Sequence, residues 1–170
     1  MKKIFLLLLL IPLASLNSCT VALNGASIPA EMKTVNVQLF ENNALLVVPT
    51  LSQDFTEALK TRIRNQTRLS ITQNGADATF EGRITGYDIK PIATTGGTST
   101  PVAGGTRLTI RVSVKYTSNL DPKQSYEESF ERFKDFNLGQ TSLQAVQDAY
   151  IKDINGQLTE DIFNRAFAQW

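Results

Sequence analysis

Cys19 is the only cysteine of the chain and the residue with the most distinctive chemistry. It follows a segment that opens with two lysines and continues with a mostly apolar run over residues 4–16. Leu16 lies three residues before the cysteine and the small Ser18 directly before it, which is the pattern of a bacterial lipoprotein signal. The run is shorter than the ~20 residues of a membrane-spanning helix and has the flanks of a cleaved signal. We therefore predict cleavage before Cys19 and acylation of its thiol.

Lipidation at Cys19 would anchor the mature chain to a membrane. Each buried methylene contributes about 0.8 kcal/mol, so two or three acyl chains hold a protein stably where one chain does not. The alternative is an ordinary secretory signal followed by an incidental free cysteine. We predict three segments: a signal peptide over residues 1–18, a lipidated tether over 19–31, and one folded domain over 32–170.

Adjacent carboxylates are the other candidates for chemistry, at Glu127-Glu128 and Glu160-Asp161. Neighbouring side chains on a strand or helix point in different directions, so neither pair converges on one reacting atom. The chain contains no histidine, and lipidation consumes its one thiol. Zinc sites built from Cys and His, and Ser-His-Asp or Cys-His catalytic systems, are therefore excluded. We predict that the protein is not an enzyme, and that it holds no metal or cofactor beyond the covalent lipid.

The overall charge argues against a nucleic-acid partner. Loss of Lys2 and Lys3 with the signal lowers the count of basic residues from 17 to 15, against 16 acidic residues. Nucleic-acid-binding proteins usually show a clear basic excess. No Gly-rich phosphate loop of the G-x-x-x-x-G-K-[ST] type is present either.

Apolar periodicity predicts the element order β-α-β-β-β-β-α. The predicted strands cover residues 33–40, 68–72, 78–90, 106–117 and 125–136, and the predicted helices cover 50–65 and 142–168. Thr50 and Gln53 have the spacing of a capping box at the first helix. Asn74-Gly75 predicts a turn, and a shift of apolar phase at Gly86 predicts a β-bulge.

Helices separated by antiparallel strands with one apolar face predict an α+β fold. We expect a two-layer sandwich, with two helices packed on one face of a mostly antiparallel, four- to five-stranded sheet. Residues 93–105 are rich in Thr, Gly and Ser and predict a flexible loop or a long hairpin connection, which could also insert toward a partner. The aromatic residues of the last strand and last helix are expected mainly in the core. Trp170 is the best candidate among them for a partner contact, because a terminal aromatic side chain is hard to bury.

Four stretches of the chain together resemble the LptE-like lipopolysaccharide-assembly lipoprotein family, most closely its Bacteroidetes-type members. They are "GASIPAEMKTVNVQLFENNALLVVPTLSQDFTEALKTRI", "FEGRITGYDIKPIA", "RLTIRVSVKYTSNLDPKQSYEESF" and "EDIFNRAFAQW". They cover most of the mature chain, and the combination of "VPTLSQDFTEALK" with a following "EGRITGY" carries most of the specificity.

The resemblance implies a lipid-anchored outer-membrane protein on the periplasmic face. Family members are non-catalytic plugs and accessory subunits of LptD, the β-barrel translocon for lipopolysaccharide, and they contact lipopolysaccharide. Thr20 follows Cys19 in place of the Asp associated with inner-membrane retention. Residues 20–23 also lack the acidic cluster that resembles a surface-export tag. The alternative is a pilotin-like accessory lipoprotein of another outer-membrane channel or secretion system. A lipid- or glycan-processing enzyme is disfavoured by the missing histidine and nucleophile motif.

Arg107, Arg111 and Lys115 share the polar face of the predicted strand 106–117, about 13 Å apart along it. Arg83 on the neighbouring strand would extend this row. With the family resemblance, the row predicts a site for the phosphates of lipopolysaccharide, because the guanidinium fork matches phosphate geometry. The alternative is a solvated sheet face whose cations pair across strands with Glu127 and Glu131.

Overall fold

The computed structural model describes residues 28–94, 102–137 and 142–168. Within these ranges the chain forms six β-strands, two α-helices and a 3-10 turn at Pro122–Gln124. The strands are β1 (Thr34–Val37), β2 (Glu41–Asn42), β3 (Ser70–Ile71), β4 (Ala78–Thr94), β5 (Val102–Ser118) and β6 (Tyr126–Phe136). The helices are α1 (Leu51–Gln66) and α2 (Leu143–Phe167).

The strands form one mixed sheet in the order β3-β1-β4-β5-β6, and β2 also pairs with β4. The long pairings β4–β5 and β5–β6 are antiparallel, whereas β1, β2 and β3 make parallel pairs. The prediction of an α+β fold with a mostly antiparallel sheet is confirmed. The predicted strand count of four to five is wrong, because six strands form within the described residues. The additional strand is β2, whose two residues are too few to show an alternating pattern.

The hairpin of β4 and β5 is the longest feature of the sheet. Its arms pair from Ala78 opposite Ser118 to Thr94 opposite Val102, so they extend into the segment that was predicted as a loop. The pairing register shifts between Ile84 and Gly86, which confirms the predicted bulge. Residues 95–101 lie outside the described residues, so the predicted flexibility of the connection stays a prediction.

Both helices pack on the same face of the sheet, and the core lies between the two layers. The side chains that α1 buries are Leu51, Phe55, Thr56, Leu59 and Ile63. Those that α2 buries include Ile151, Ile154, Leu158, Ile162, Phe163 and Phe167. The spacing of three and four residues in both lists places each set on one side of its helix. They meet the core-facing alternate residues of β4 and β5, for example Phe80 and Tyr116.

The N-terminus of α1 begins as predicted, but its capping box is absent. Thr50 occupies the N-cap position with φ −86° and ψ −16°, and its side chain makes no capping hydrogen bond. An N-cap residue usually has extended backbone angles, from which its side chain reaches the amides of the first turn. Thr50 already has helical angles, which explains the missing bond. The hydroxyl of Ser52, in the first turn, instead donates to the carbonyl of Phe40. This hydrogen bond links the N-terminus of α1 to the residues between β1 and β2.

Candidate functional site

The open face of the sheet, opposite the helices, carries the predicted basic row. Alternate residues of β5 such as Ile110 and Val112 are fully buried against the helices. The side chains between them therefore point to the other side of the sheet. The structure thus brings Arg107, Arg111 and Lys115 to one face, as the sequence predicts. We call these three residues the β5 stripe.

Arg107 is held by a carboxylate of the neighbouring strand. Its Nε lies 2.7 Å from Oδ1 of Asp135 and its Nη2 lies 2.8 Å from Oδ2, which is a two-pronged ion pair. This hydrogen bonding raises the pKa of Arg107 and lowers the pKa of Asp135. The guanidinium carbon also lies 3.7 Å from the centroid of the Phe133 ring, a cation–π contact.

The other two cations of the β5 stripe are also paired. Arg111 contacts Glu131 of β6, and its Nη2 lies 2.9 Å from Oδ2 of Asp88 on β4. The ammonium of Lys115 lies 2.7 Å from Oε1 of Glu81. Hydrogen bonds to these carboxylates raise the pKa of both cations. Cross-strand pairing with Glu131 is confirmed, whereas Glu127 lies opposite Lys115 in register without forming its ion pair.

Arg83 differs from the β5 stripe in its environment. It is exposed on β4 and makes no ion pair with any other residue that the structure describes. It lines a shallow depression of about 280 Å³ on the open face, together with Lys115 and the carboxylates of Glu41, Glu81 and Glu127. Among the described residues, Arg83 is therefore the one cation of the predicted row that is not held in an ion pair, although Glu41 lies opposite it in register.

A second group of ion pairs joins β6 to α2 on the helix-bearing face. Arg132 makes a two-pronged contact with Asp161 at 2.6 and 2.7 Å, and the ammonium of Lys134 lies 3.0 Å from Asp153. Nε of Arg165 lies 3.0 Å from Oε2 of Glu128. We call the three cations of this group the helix-side set.

The adjacent carboxylates do not form an acid/base site. Glu128 and Asp161 belong to two different ion pairs of the helix-side set. Glu127 lines the depression on the opposite face of the sheet. Across residues 28–94, 102–137 and 142–168, no group of three or more His, Cys, Asp or Glu side chains is placed to hold a metal ion.

A groove of about 900 Å³ runs between α1 and α2, and sequence reasoning did not predict it. Arg62 lines it and bridges the helices, donating to the Gly156 carbonyl at 2.9 Å and to the Thr159 hydroxyl at 3.2 Å. Asn155, which is 2% exposed, also lines the groove, and its Oδ1 accepts no hydrogen bond from the described residues. This oxygen offers a hydrogen-bond acceptor to a polar group that enters the groove. The groove was not predictable, because the apolar periodicity of each helix does not show how far apart the two helices lie.

The predicted aromatic group divides between core and surface. Phe136, Phe163 and Phe167 are buried, and Phe130 packs partly against the core. Phe133 is 45% exposed beneath the Arg107 guanidinium. Most of these side chains therefore belong to the core, as expected.

Three further observations bear on attachment and contact. Cys19 and Trp170 lie outside the described residues, so lipidation and the partner contact stay predictions. Among the helices in the described part of the chain, none is long and apolar enough to cross a membrane. Leu45, Leu46 and Val47, between β2 and α1, are exposed aliphatic residues that the sequence analysis did not single out.

Comparison with known proteins finds one matching family model and several solved structures of similar fold. A protein-family model described as "LptE: Lipopolysaccharide-assembly" matches residues 32–166. The hypothetical protein CT253 from Chlamydia trachomatis has a similar structure, with a TM-score of 0.53, 12% identity, and coverage of 79% of this chain and 95% of that one. Rare lipoprotein B from Shewanella oneidensis gives a TM-score of 0.51 and 12% identity, with coverage of 78% and 92%. At these identities the structural likeness concerns the fold. The comparison with curated sequences found no match.

Proposed function

Because the chain belongs to the LptE lipopolysaccharide-assembly family, we propose that it is a non-catalytic lipoprotein of the outer membrane that acts as plug and accessory subunit of an LptD-like β-barrel. The observation that carries this proposal is the family match, which spans the whole sheet, all of α1 and all but the last residue of α2. The protein would work by binding: it would occupy the barrel lumen, support barrel assembly, and guide lipopolysaccharide on the periplasmic side.

The surface of the domain suits a plug inside a polar lumen. Outer-membrane barrels turn their polar side chains inward and their apolar side chains toward lipid. The open face of the sheet presents charged groups that are mostly neutralised by neighbouring groups of opposite sign, as Arg107 is by Asp135. Such a face can enter a wet, polar cavity without leaving a large uncompensated charge.

The first experiment is a gentle detergent purification of the tagged, lipidated protein from native outer membranes, followed by mass spectrometry. We expect a large lipopolysaccharide-translocon barrel in a stoichiometric amount. Recovery of a secretion channel in its place would move the function to the pilotin-like alternative. Depletion of the protein should also cause lipopolysaccharide to accumulate in the inner membrane.

We propose that acylated Cys19 attaches the domain to the outer membrane. The measurement is fractionation of the Cys19→Ala variant beside the wild-type chain. The variant should leave the membrane fraction, because the acyl chains are the proposed anchor. Unchanged membrane association would contradict lipidation at this residue.

We propose that the β5 stripe and Arg83 contact the phosphates of lipopolysaccharide. Arg83 would bind first because its guanidinium is exposed, and phosphates would then exchange with the carboxylates that pair with the β5 stripe. The stripe variant replaces Arg107, Arg111 and Lys115 by Gln. The helix-side set offers a matched control, Arg132, Lys134 and Arg165 replaced by Gln, which also removes three ion-paired cations.

Lipopolysaccharide binding should fall in the stripe variant and in Arg83→Gln, and should remain in the helix-side control. Thermal melting of each variant separates lost binding from lost folding. If the stripe variant binds lipopolysaccharide as well as the wild type does, the β5 stripe serves only to pair the strands of the sheet.

Trp170 is the proposed contact with the barrel. Its deletion should reduce the amount of barrel that is recovered with the protein and leave the melting temperature nearly unchanged. The reverse result would make Trp170 a core residue.

A further inference from the structure

The groove of about 900 Å³ between α1 and α2 plays no part in the proposed function. We call it the helix groove. Among its 14 described lining residues, only Ala58, Ile151 and Gly156 lack a polar side chain. An apolar ligand would cover the polar side chains without offering them hydrogen bonds, which is costly. The lining therefore fits a ligand that is itself rich in hydrogen-bonding groups.

Asn155 brings a buried, unpartnered carboxamide to the helix groove. The residue is 2% exposed, and its Oδ1 accepts no hydrogen bond from the described residues. A buried polar group without a partner is costly for a fold, so native structures retain few of them. A half-turn about the last side-chain bond exchanges Oδ1 and Nδ2, so the carboxamide can present an acceptor or two donors. A hydroxyl group both donates and accepts, and it therefore pairs with either atom.

Arg62 lies in the wall of the helix groove in a fixed orientation. Its Nε donates to the Thr159 hydroxyl at 3.2 Å, and its Nη2 donates to the Gly156 carbonyl at 2.9 Å. A guanidinium has five N–H donors, so these two bonds leave donors for a ligand. Because the side chain is already held, a ligand that accepts from it does not have to order it first.

The charges of the helix groove nearly balance and lie on both helices. Three carboxylates line it, those of Asp54, Glu57 and Asp148, and two cations, Arg62 and Lys152, so its formal net charge is −1. Asp54 and Asp148 are exposed and form no ion pair with any other described residue. The carboxylates disfavour a phosphate or another anion, and the cations disfavour a polyamine. A neutral ligand with many hydroxyl groups fits this arrangement.

The lining does not suit an acyl chain or a peptide helix. Among the described lining residues none is aromatic, and Ile151 is the only large aliphatic one. An amphipathic helix docks through several apolar anchors, which need apolar pockets to receive them. An acyl chain would bury Asn155 and its polar neighbours still further without giving them a hydrogen bond.

We propose that the helix groove binds a neutral saccharide, whose hydroxyl groups pair with the Asn155 carboxamide and with the remaining donors of Arg62. The proposal rests on the groove itself and does not depend on a barrel partner. The sugar part of lipopolysaccharide and the glycan strands of peptidoglycan both offer this chemistry, and the experiment distinguishes the two sources. The groove lies on the helix-bearing side of the sheet, so this site is separate from the β5 stripe.

The test is isothermal titration calorimetry on the full-length, lipidated protein in detergent. The probes are the delipidated and dephosphorylated sugar part of lipopolysaccharide, and peptide-free glycan strands of peptidoglycan. We expect the wild type to bind at least one probe, and Asn155→Leu to weaken that binding about tenfold through the loss of a hydrogen bond. The matched control is Gln157→Leu, the same kind of change at an exposed position of α2 outside the groove lining. The control should bind as the wild type does.

Thermal melting separates lost binding from lost folding. Leucine has the same number and branching of side-chain atoms as asparagine and needs no hydrogen-bond partner, so Asn155→Leu should melt no lower than the wild type. Gly156→Met is a second, independent groove variant. A Cβ at this position would meet nothing within 4 Å, so methionine, a good helix former, would extend into the groove without a clash. It should block saccharide binding and keep the fold.

A photoreactive amino acid in place of Thr61, an exposed lining residue, reports the occupant of the groove in native membranes. A sugar-bearing adduct supports the proposal, as does binding of either probe that both groove variants lose and the control keeps. An adduct with a polypeptide or an acyl lipid without sugar overturns it. Failure of the wild type to bind either probe, or equal binding by both groove variants, overturns it as well. Failure to recover a barrel would overturn the proposed function and leave this proposal standing.

Discussion

Asp77 connects the start of β1 to the start of β4 through one carboxylate oxygen. Its Oδ2 accepts from the backbone amides of Lys33 at 2.8 Å and Thr34 at 2.9 Å, and from the Thr34 hydroxyl at 2.9 Å. The hydrogen bond from the Lys33 amide is the main cause of a lowered Asp77 pKa, followed by those from Thr34. A single ionised side chain thus accepts hydrogen bonds from the Lys33 amide, just before β1, and from the Thr34 amide, the first of β1.

We predict that Asp77→Asn lowers the melting temperature at pH 7 and that the difference from wild type shrinks in acid. The folded-state pKa of Asp77 lies below its ordinary value of 3.8. The contribution of ionised Asp77 to the stability of the folded state is therefore complete above pH 3.8. It is lost as the pH falls through the folded-state pKa of Asp77. Thermal melting of both proteins between pH 7 and pH 2 measures this. A difference that stays constant down to pH 2 would show that ionisation of Asp77 does not matter.

The partners of the β5 stripe show what residue patterns can and cannot predict. Alternation along the strand placed Arg107, Arg111 and Lys115 on one face, because side-chain direction in a strand is a local property. The carboxylates that neutralise them depend on register between strands. Of the observed partners, only Glu131 was predicted from the sequence. Asp135 and Glu81 lie beside the stripe because of the strand register that the hairpins set.

At the scale of elements, the helices were more predictable than the short strands. The apolar periodicity of α1 predicted its extent to within about one residue at its C-terminus, because packing of one face stabilises a helix. Strands β1 and β3 are shorter than predicted, and β2 was missed. These strands make parallel pairs that join distant parts of the chain. Their bounds depend on partners that a local pattern does not contain.

The junction between α1 and α2 depends on Arg62, whose side chain is 19% exposed. Its hydrogen bonds to the neutral oxygens of Gly156 and Thr159 measure 2.9 and 3.2 Å, whereas its nearest carboxylate, on Glu160, is 3.8 Å away. Hydrogen bonding therefore contributes more to the junction than ion pairing does.

We predict that Arg62→Ala lowers the free energy of unfolding by about 1–3 kcal/mol, the usual cost of removing hydrogen bonds made by a charged group. Urea denaturation measures the change, and the loss should persist in 1 M NaCl because the acceptors are neutral. The matched control is Arg64→Ala in the same helix, at an exposed position, where a change within about 0.5 kcal/mol is expected. A loss that disappears at high salt would assign the effect to Glu160.

At the scale of the whole molecule, one core joins both layers. The ring of Phe167 from α2 lies 5.9 Å from the rings of Phe80 on β4 and Tyr116 on β5, with edge-to-face geometry. Burial raises the pKa of Tyr116 to about 12, so this hydroxyl stays protonated inside the core at neutral pH. The two-layer architecture follows from amphipathic elements and was predictable. The position of β1 between β3 and β4 was not, because it depends on the crossover through α1.

The buried hydrophobic residues of the described chain run from Met32 to Phe167, and Ile28, within the predicted tether, packs against this core. We predict that a chain beginning at residue 28 unfolds in one cooperative transition, within about 2 °C of the full chain, a shift that corresponds to less than about 1 kcal/mol for a domain of this size. Thermal unfolding followed by circular dichroism measures this. A chain beginning at residue 38 is the control. It lacks the buried Val35 and Val37 and the strand that pairs with both β3 and β4, so it should lose the transition. If the longer chain also loses its transition, the segment before residue 28 contributes to folding as well as to attachment.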